Sequence, residues 1–421
     1  MIDRKRGLKS CGAGGAASQG PFSQEADLND KKWLVLLSLF LARCVMGMQF
    51  ESVGALAPLL RADGIDYGRM GLLLGAYLAP GIAVCLPGGM IASKFGDRRT
   101  LLASLALMMC GGVIEIHGGW VAYLSGRLLA GTGGIVMTVA ATKIIADRFT
   151  GKQMALAMAN FVNAWPCGIA LSLVLLPSMA QSFGLPSTRF FLALIAGFAL
   201  LSALLFIPPS ERRAAEASES FPRGAVLLAV CVAGTLWGLA NSAFATVFTF
   251  GPVLLVEKGY SANAAASCVS IVLWMSLLSI PAGGVLASRL PGPGTLIVLA
   301  LLAAAAALAA VPRVDASTAL FVMIGIISGL PGGAMMTLPA RVMDVRSRAI
   351  GMGIFYSASY SVMLGFPILQ GALARSIATA VVTFDAAAIA MLVSIPVLGL
   401  FVALARGSSG VNRSFPVEQL K

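Results

Sequence analysis

Trp33–Leu60 reads WLVLLSLFLARCVMGMQFESVGALAPLL. Only two charged side chains, Arg43 and Glu51, interrupt it. At a rise of about 1.5 Å per residue, a helix of this length crosses a bilayer core of roughly 30 Å. Similar stretches follow to the end of the chain. Together they predict twelve spans, at roughly 33–60, 68–92, 100–117, 120–146, 153–178, 188–209, 224–250, 262–287, 294–311, 317–341, 348–373 and 379–405. The fold class is therefore an all-α membrane protein.

Composition agrees. The 421 residues are 58% apolar and 11% charged, where soluble domains carry about a quarter charged residues, and the mean hydropathy is +0.88. This excludes a soluble multidomain enzyme. It also excludes a β-barrel, whose strands would give short alternating segments. Six of the seven cysteines lie inside apolar stretches and none forms a C-x-x-C pair, so no disulfide framework or metal site is expected. A single histidine, His117, cannot build a relay of imidazoles. No nucleotide-binding loop or zinc-protease helix motif is present, so neither an enzyme nor a cofactor is expected.

The net charge of +12 is explained by topology rather than by a nucleic-acid partner. With the N-terminus inside, 22 of the 30 lysines and arginines fall on the cytosolic side, six on the other and two within spans. The positive-inside rule then puts both termini in the cytosol. Residues 1–32 are polar, without an early apolar core for a signal peptide, and are expected to form a disordered tail. The remaining expected divisions are a bundle over 33–209, a linker over 210–223, a second bundle over 224–405 and a tail over 406–421.

Two bundles are expected because the chain repeats itself. Gly89-Met-Ile-Ala-Ser93-Lys94-Phe95 after the second span is echoed by Gly284-Val-Leu-Ala-Ser288-Arg289-Leu290 after the eighth, an offset of 195 that Gly64 and Gly259 also keep. Gly133-Gly134-Ile-Val-Met137-Thr138 is echoed by Gly332-Gly333-Ala-Met-Met336-Thr337 at an offset of 199. Halves of six spans each satisfy all these landmarks.

Gly89-x-x-x-Ser93-Lys94-x-Gly96-Asp97-Arg98-Arg99 resembles the loop signature of the major facilitator superfamily of secondary transporters. Ser93 stands where that family usually has Asp, and Asp97 where it usually has Arg. Arg127-x-x-x-Gly131-x-Gly133 in the fourth span is similar to a second family signature. Leu41-Ala-Arg43 and Ser52-Val-Gly54-Ala-Leu-Ala-Pro58 resemble the cyanate-permease-like branch. The resemblance covers nearly all of 33–405. It implies two pseudo-symmetric six-helix bundles, a cytosolic gate formed by Gly89, Ser93, Lys94, Gly96, Asp97, Arg98 and Arg99, and transport of a small solute by alternating access.

Ionisable side chains deep in a span are costly and mark function. Arg43, Glu51 and Arg127 qualify. A Glu51–Arg127 ion pair is expected, because both lie at similar depth on neighbouring helices, leaving Arg43 as an unpaired cation. Arg43 and Arg127 then bind an anionic group through their forked donors, and Glu51 carries the coupling proton. The same three residues could instead form a static brace. Gln49 and Asn163 in the first half, and Asn241, Tyr356 and Tyr360 in the second, are further candidates for substrate contact. Glu115 and His117 are expected on a solvated rim, and Lys143 is expected to snorkel.

The function expected is a secondary transporter of a small anion, driven by protons or by exchange. A proton-coupled drug exporter and a non-transporting receptor are the rival readings. A monomer with no partner beyond solute and membrane lipid, in the inner membrane of a bacterium, completes the expectation.

Overall fold

A computed structural model describes residues 21–62, 64–85, 96–149, 151–208, 221–287, 293–315, 317–344 and 347–408. All described secondary structure is helical. The first half contains α1 (Pro21–Ala55), α2 (Ala57–Ala62), α3 (Tyr67–Leu78), α4 (Asp97–Ile116), α5 (Trp120–Arg148) and α6 (Gly151–Phe206). The second contains α7 (Gly224–Glu257), α8 (Ala262–Ala287), α9 (Pro293–Ala310), α10 (Ser317–Gly329), α11 (Gly332–Val342), α12 (Arg348–Ile377) and α13 (Val381–Ser408).

Ten helices among the described residues are long and apolar enough to cross a membrane, and Gly294–Ala310 is a shorter apolar helix. The stretch Leu156–Phe206 is 51 residues long, about 75 Å if straight. It turns back at Gly184, where φ is 81° and ψ 165°. Only glycine takes that backbone without strain, so one glycine converts a continuous helix into two antiparallel arms. Proline-containing breaks interrupt other spans. The chain turns at Leu56 before Ala57-Pro58, at Ala79 before Pro80, and at Leu330-Pro331 between α10 and α11.

Two expectations need adjustment. Helix α1 begins at Pro21, so part of the segment expected to be a disordered tail is helical; residues 1–20 lie outside the described residues, as do 210–220 of the linker and 409–421 of the C-terminal tail. The glycines of the second sequence echo differ in their packing. A Cβ on Gly133 would press on the Ser104 carbonyl and come 2.9 Å from Met108, whereas one on Gly332 or Gly333 would meet nothing.

The ends of the helices define two faces. Lys32 bonds Gln153 and Trp33 packs on Phe149 at the face where the apolar part of α1 starts, here called proximal. The opposite, distal face carries Arg61, Asp66, Glu257, Arg313 and Arg375. Between the faces the halves meet along α3 and α12. A Cβ on Gly71 would press on the Pro367 carbonyl, and one on Gly75 would come 3.0 Å from Leu364.

Candidate functional site

Arg43 lies within the apolar stretch Lys32–Ala55 and is 9% exposed. Its Nη1 donates to the Thr138 hydroxyl of α5 and, at 3.3 Å, to the Met46 sulfur, while Nε has no partner. The guanidinium carbon lies 4.9 Å from the Trp165 ring centroid and 5.5 Å from that of Phe161, both on α6. Such contacts hold a cation in place without neutralising it. Among the described residues no carboxylate pairs with Arg43. Across the junction, Tyr356 and Tyr360 of α12 are within its electrostatic range, as is Tyr77 of α3. The two α12 rings stack at 6.3 Å. Tyr360 also packs against α3's continuation, its ring Cγ 2.6 Å from where a Cβ on Gly81 would stand. The arrangement is a membrane-buried cation with spare donor capacity, walled by aromatic rings from both halves.

The expected Glu51–Arg127 ion pair is absent. Arg127 is 1% exposed and spends its donors on α1 and α3. Nε bonds the Leu73 carbonyl at 3.2 Å and Nη2 the Phe50 carbonyl at 2.6 Å; Nη1 bonds the Gln49 carbonyl and, at 3.1 Å, the Ser52 hydroxyl. Helix geometry explains why Glu51 takes no part. Gln49 and Ser52, three apart, share the face toward α5, while Glu51 is turned roughly 200° from Gln49. Glu51 points instead toward α7, where a Cβ on Gly54 would come 3.0 Å from its Cδ and 2.9 Å from the Thr249 Cα. It is fully buried, and neither carboxylate oxygen has a hydrogen-bond partner.

The other candidates divide. Gln49 joins this core: its Nε2 donates to the Met108 carbonyl at 3.0 Å, and its Oε1 accepts from Tyr77 at 3.5 Å. Asn163 is partly buried on α6, two residues before Trp165. Asn241 turns back on its own helix, donating to the Trp237 carbonyl at 2.8 Å.

Of the expected gate, Gly89, Ser93 and Lys94 lie outside the described residues. Gly96 has φ 87° and precedes α4. Asp97, 3% exposed, pairs with Lys143 at 2.8 Å, so Lys143 is anchored rather than snorkelling freely. Arg98 donates to the Ile207 and Leu204 carbonyls at 2.6 and 3.1 Å, and Arg99 is exposed. All these bonds stay within the first half, tying α4 to α5 and to the end of α6.

The bonds between halves are on the distal face. Glu257, ending α7, accepts from Arg61 at 3.3 Å and from the Tyr67 hydroxyl of the first half, and within its own half, at 3.1 Å each, from the Thr379 hydroxyl and the Ala380 amide. Arg375 lies 3.8 Å from Asp66, and Asn263 donates to Gln181 at 2.8 Å. Among the described residues, every hydrogen bond between the halves belongs to this face. Sequence reasoning missed Glu257, Arg61, Tyr67, Phe161, Trp165 and Thr138. Arg61 and Glu257 are 196 residues apart, within one of the internal repeat, so the matched span ends carry opposite charges. Thr138 stands in the second echo.

An all-helical, multi-pass membrane protein in two bundles, with buried charges at their junction, is the class this fold and site define. The chain belongs to the Major Facilitator Superfamily, whose profile matches residues 39–367. It is 26% identical over 210 residues to the 4-hydroxybenzoate transporter PcaK of Acinetobacter baylyi, covering 45% of this chain and 42% of that one. It is 24% identical over 246 residues to the cyanate transport protein CynX of Escherichia coli, covering 56% of this chain and 62% of that one. The matches thus span about half the length of these relatives. The fold resembles a bacterial homologue of the human lysosomal transporter Spinster, solved in an inward-facing and occupied conformation, with a TM-score of 0.68, 16% identity and coverage of 93% and 98%.

Proposed function

We propose that this protein is a secondary active transporter that moves a small anionic solute across a bacterial inner membrane by alternating access. In this reading an even number of spans brings both termini to one side, and the excess of Lys and Arg there makes it the cytosol, so the proximal face is cytosolic and the distal face external. The observation that carries the reading is Arg43, a guanidinium buried between the halves with an unbonded Nε and, among the described residues, no carboxylate paired with it. An arginine fork suits a planar anion, and the surrounding rings of Trp165, Tyr356 and Tyr360 suit a flat solute. Arg127, with every donor nitrogen engaged, braces α1 against α3 and α5. Glu51 carries the coupling proton, because an unpaired ion there costs several kcal/mol and a proton can come and go as the halves move. The names of the two relatives, for 4-hydroxybenzoate and cyanate, support a small anion.

The test is uptake by proteoliposomes. Labelled cyanate and labelled 4-hydroxybenzoate are the probes, under an imposed proton gradient and in counterflow exchange. Accumulation or exchange of either, abolished in Arg43→Ala, supports the reading. Failure of both, with no thermal stabilisation by any of a panel of small anions, rejects it.

A further inference from the structure

Beside the seam between the halves, toward the distal face, an open groove of about 610 Å³ runs between α3 and α12. That volume lies in the range that holds a drug-sized molecule. Arg69 and Leu72 line it from α3, and Ile368, Ala372 and Arg375 from α12. Spacings of three and four residues put each set on one helix face. Met70 and Leu73 of α3 and Ala374 of α12 turn the other way, into the core. The groove therefore opens on the outer surface of two membrane spans, Tyr67–Cys85 and Ile350–Ile377.

One end of the groove is charged and the other apolar. Arg69 stands just after the start of the first of these spans and Arg375 just before the end of the second, so both are at the water boundary. Leu72 lies about 4–5 Å deeper than Arg69, and Ile368 about 10 Å deeper than Arg375. Arg69 is exposed, its guanidinium carbon 5.4 Å from the ring centroid of Trp120, at the depth where interfacial aromatic rings collect. Arg375 is 69% exposed, and its ion-pair partner among the described residues is Asp66, 3.8 Å away. Asp66 also caps α3, accepting from the Arg69 amide at 2.8 Å. Among the described residues neither guanidinium makes a hydrogen bond. Two arginines against one carboxylate leave the mouth of the groove positive and its donors unused.

We propose that this groove binds an anionic phospholipid of the leaflet on the distal side, its phosphate between Arg69 and Arg375 and an acyl chain along Leu72, Ile368 and Ala372. Charge and polarity select the occupant. A soluble anion would use the arginines and leave the apolar floor bare. A zwitterionic lipid would cover the floor but bring an ammonium to a positive mouth. An anionic lipid matches both ends. The site also joins the halves. Arg375 reaches across the seam, its Cδ 3.5 Å from where a Cβ on Gly68 would stand, and a Cβ on Gly371 would press on the Tyr67 carbonyl. A phosphate shared by Arg69 of the first half and Arg375 of the second is a bond between halves, and it favours the distally closed state.

The deciding measurement is a lipid titration of the full-length protein in detergent, read as its thermal midpoint. Phosphatidylglycerol and phosphatidylcholine with the same acyl chains are the probes, and glycerol phosphate supplies the headgroup without chains. Phosphatidylglycerol should stabilise at lower concentration than phosphatidylcholine, and glycerol phosphate should not stabilise. Arg69→Gln and Arg375→Gln should each weaken the phosphatidylglycerol response about fivefold and leave that to phosphatidylcholine unchanged. Arg313→Gln, which removes a distal arginine outside the groove, should change neither. Equal response to the two lipids, an unchanged preference in both groove variants, or full stabilisation by glycerol phosphate overturns the proposal. A second readout follows the state of the protein rather than its stability. Thr249→Cys, at a site 5% exposed on α7, should react with a thiol reagent several-fold more slowly in phosphatidylglycerol vesicles than in phosphatidylcholine vesicles. Arg375→Gln should remove that difference. Equal rates in the two kinds of vesicle would overturn the bond between halves.

Discussion

At Arg43, anion binding and helix packing make different demands on the side chain. Thr138, Met46, Trp165 and Phe161 fix the guanidinium, yet Nε is left over. A hydrogen bond to a charged group contributes about 1.5–3 kcal/mol, so Arg43→Ala should weaken anion binding about ten- to hundredfold, measured by calorimetry or thermal shift. Arg43→Lys should recover only part of this, because a compact ammonium cannot reproduce the fork. Equal affinity in parent and Arg43→Ala would move the drug-exporter reading ahead. Glu51 makes a separate prediction. Glu51→Gln keeps shape and hydrogen-bonding capacity but cannot titrate, so proton-driven accumulation should disappear while counterflow exchange persists. If Glu51→Gln accumulates solute like the parent, the coupling proton is carried elsewhere.

At the scale of elements, the fourth-span signature is a packing device. Gly131 and Gly133 of α5 face the Tyr77 and Ser104 carbonyls, each too near for a Cβ. Gly131→Ala should therefore destabilise the protein by about 1–3 kcal/mol, seen as a lower thermal midpoint. Gly333→Ala, where a Cβ meets nothing, should change it little. The contrast also shows what the sequence can convey. Span positions were legible because bilayer thickness imposes long apolar runs, and Arg43, Glu51 and Arg127 stood out because charge is rare in such runs. The partners of those charges were not legible. Arg127 bonds to backbone carbonyls, which every residue possesses, so no side-chain pattern announces them. Lys143 sits near a span end, where sequence alone favours solvent; the neighbouring helix that brings Asp97 to it is a tertiary fact. Glu257 was passed over for a similar reason: a charge at a loop is ordinary until α2, α3 and α12 converge on it.

For the molecule as a whole, the distribution of bonds between the halves describes one state of an alternating cycle. On the distal face Glu257 accepts from Arg61 and Tyr67 of the first half, and Arg375 approaches Asp66. On the proximal face the bonds of Asp97 and Arg98 hold the first bundle to itself. Among the described residues the bonds between the halves are all distal; with Lys and Arg in excess on the proximal side, the distal face is expected to be external and this state inward-facing. Two measurements with a membrane-impermeant thiol reagent in intact cells check this, each against the parent's own cysteines as background. Ser261→Cys on the distal face should be labelled and Arg223→Cys on the proximal face protected; the reverse pattern would invert the topology. Thr249→Cys, 5% exposed beneath the latch, should be slow to label in the parent background. The latch is partly exposed, with Arg61 at 39% and Glu257 at 25%, so its net contribution is about 1 kcal/mol rather than the sum of its bonds. That is roughly a fivefold bias between states. Adding Glu257→Ala should therefore speed labelling of Thr249→Cys several-fold. An unchanged rate would mean that the close packing of α3 on α12, not the ion cluster, holds the distal side shut.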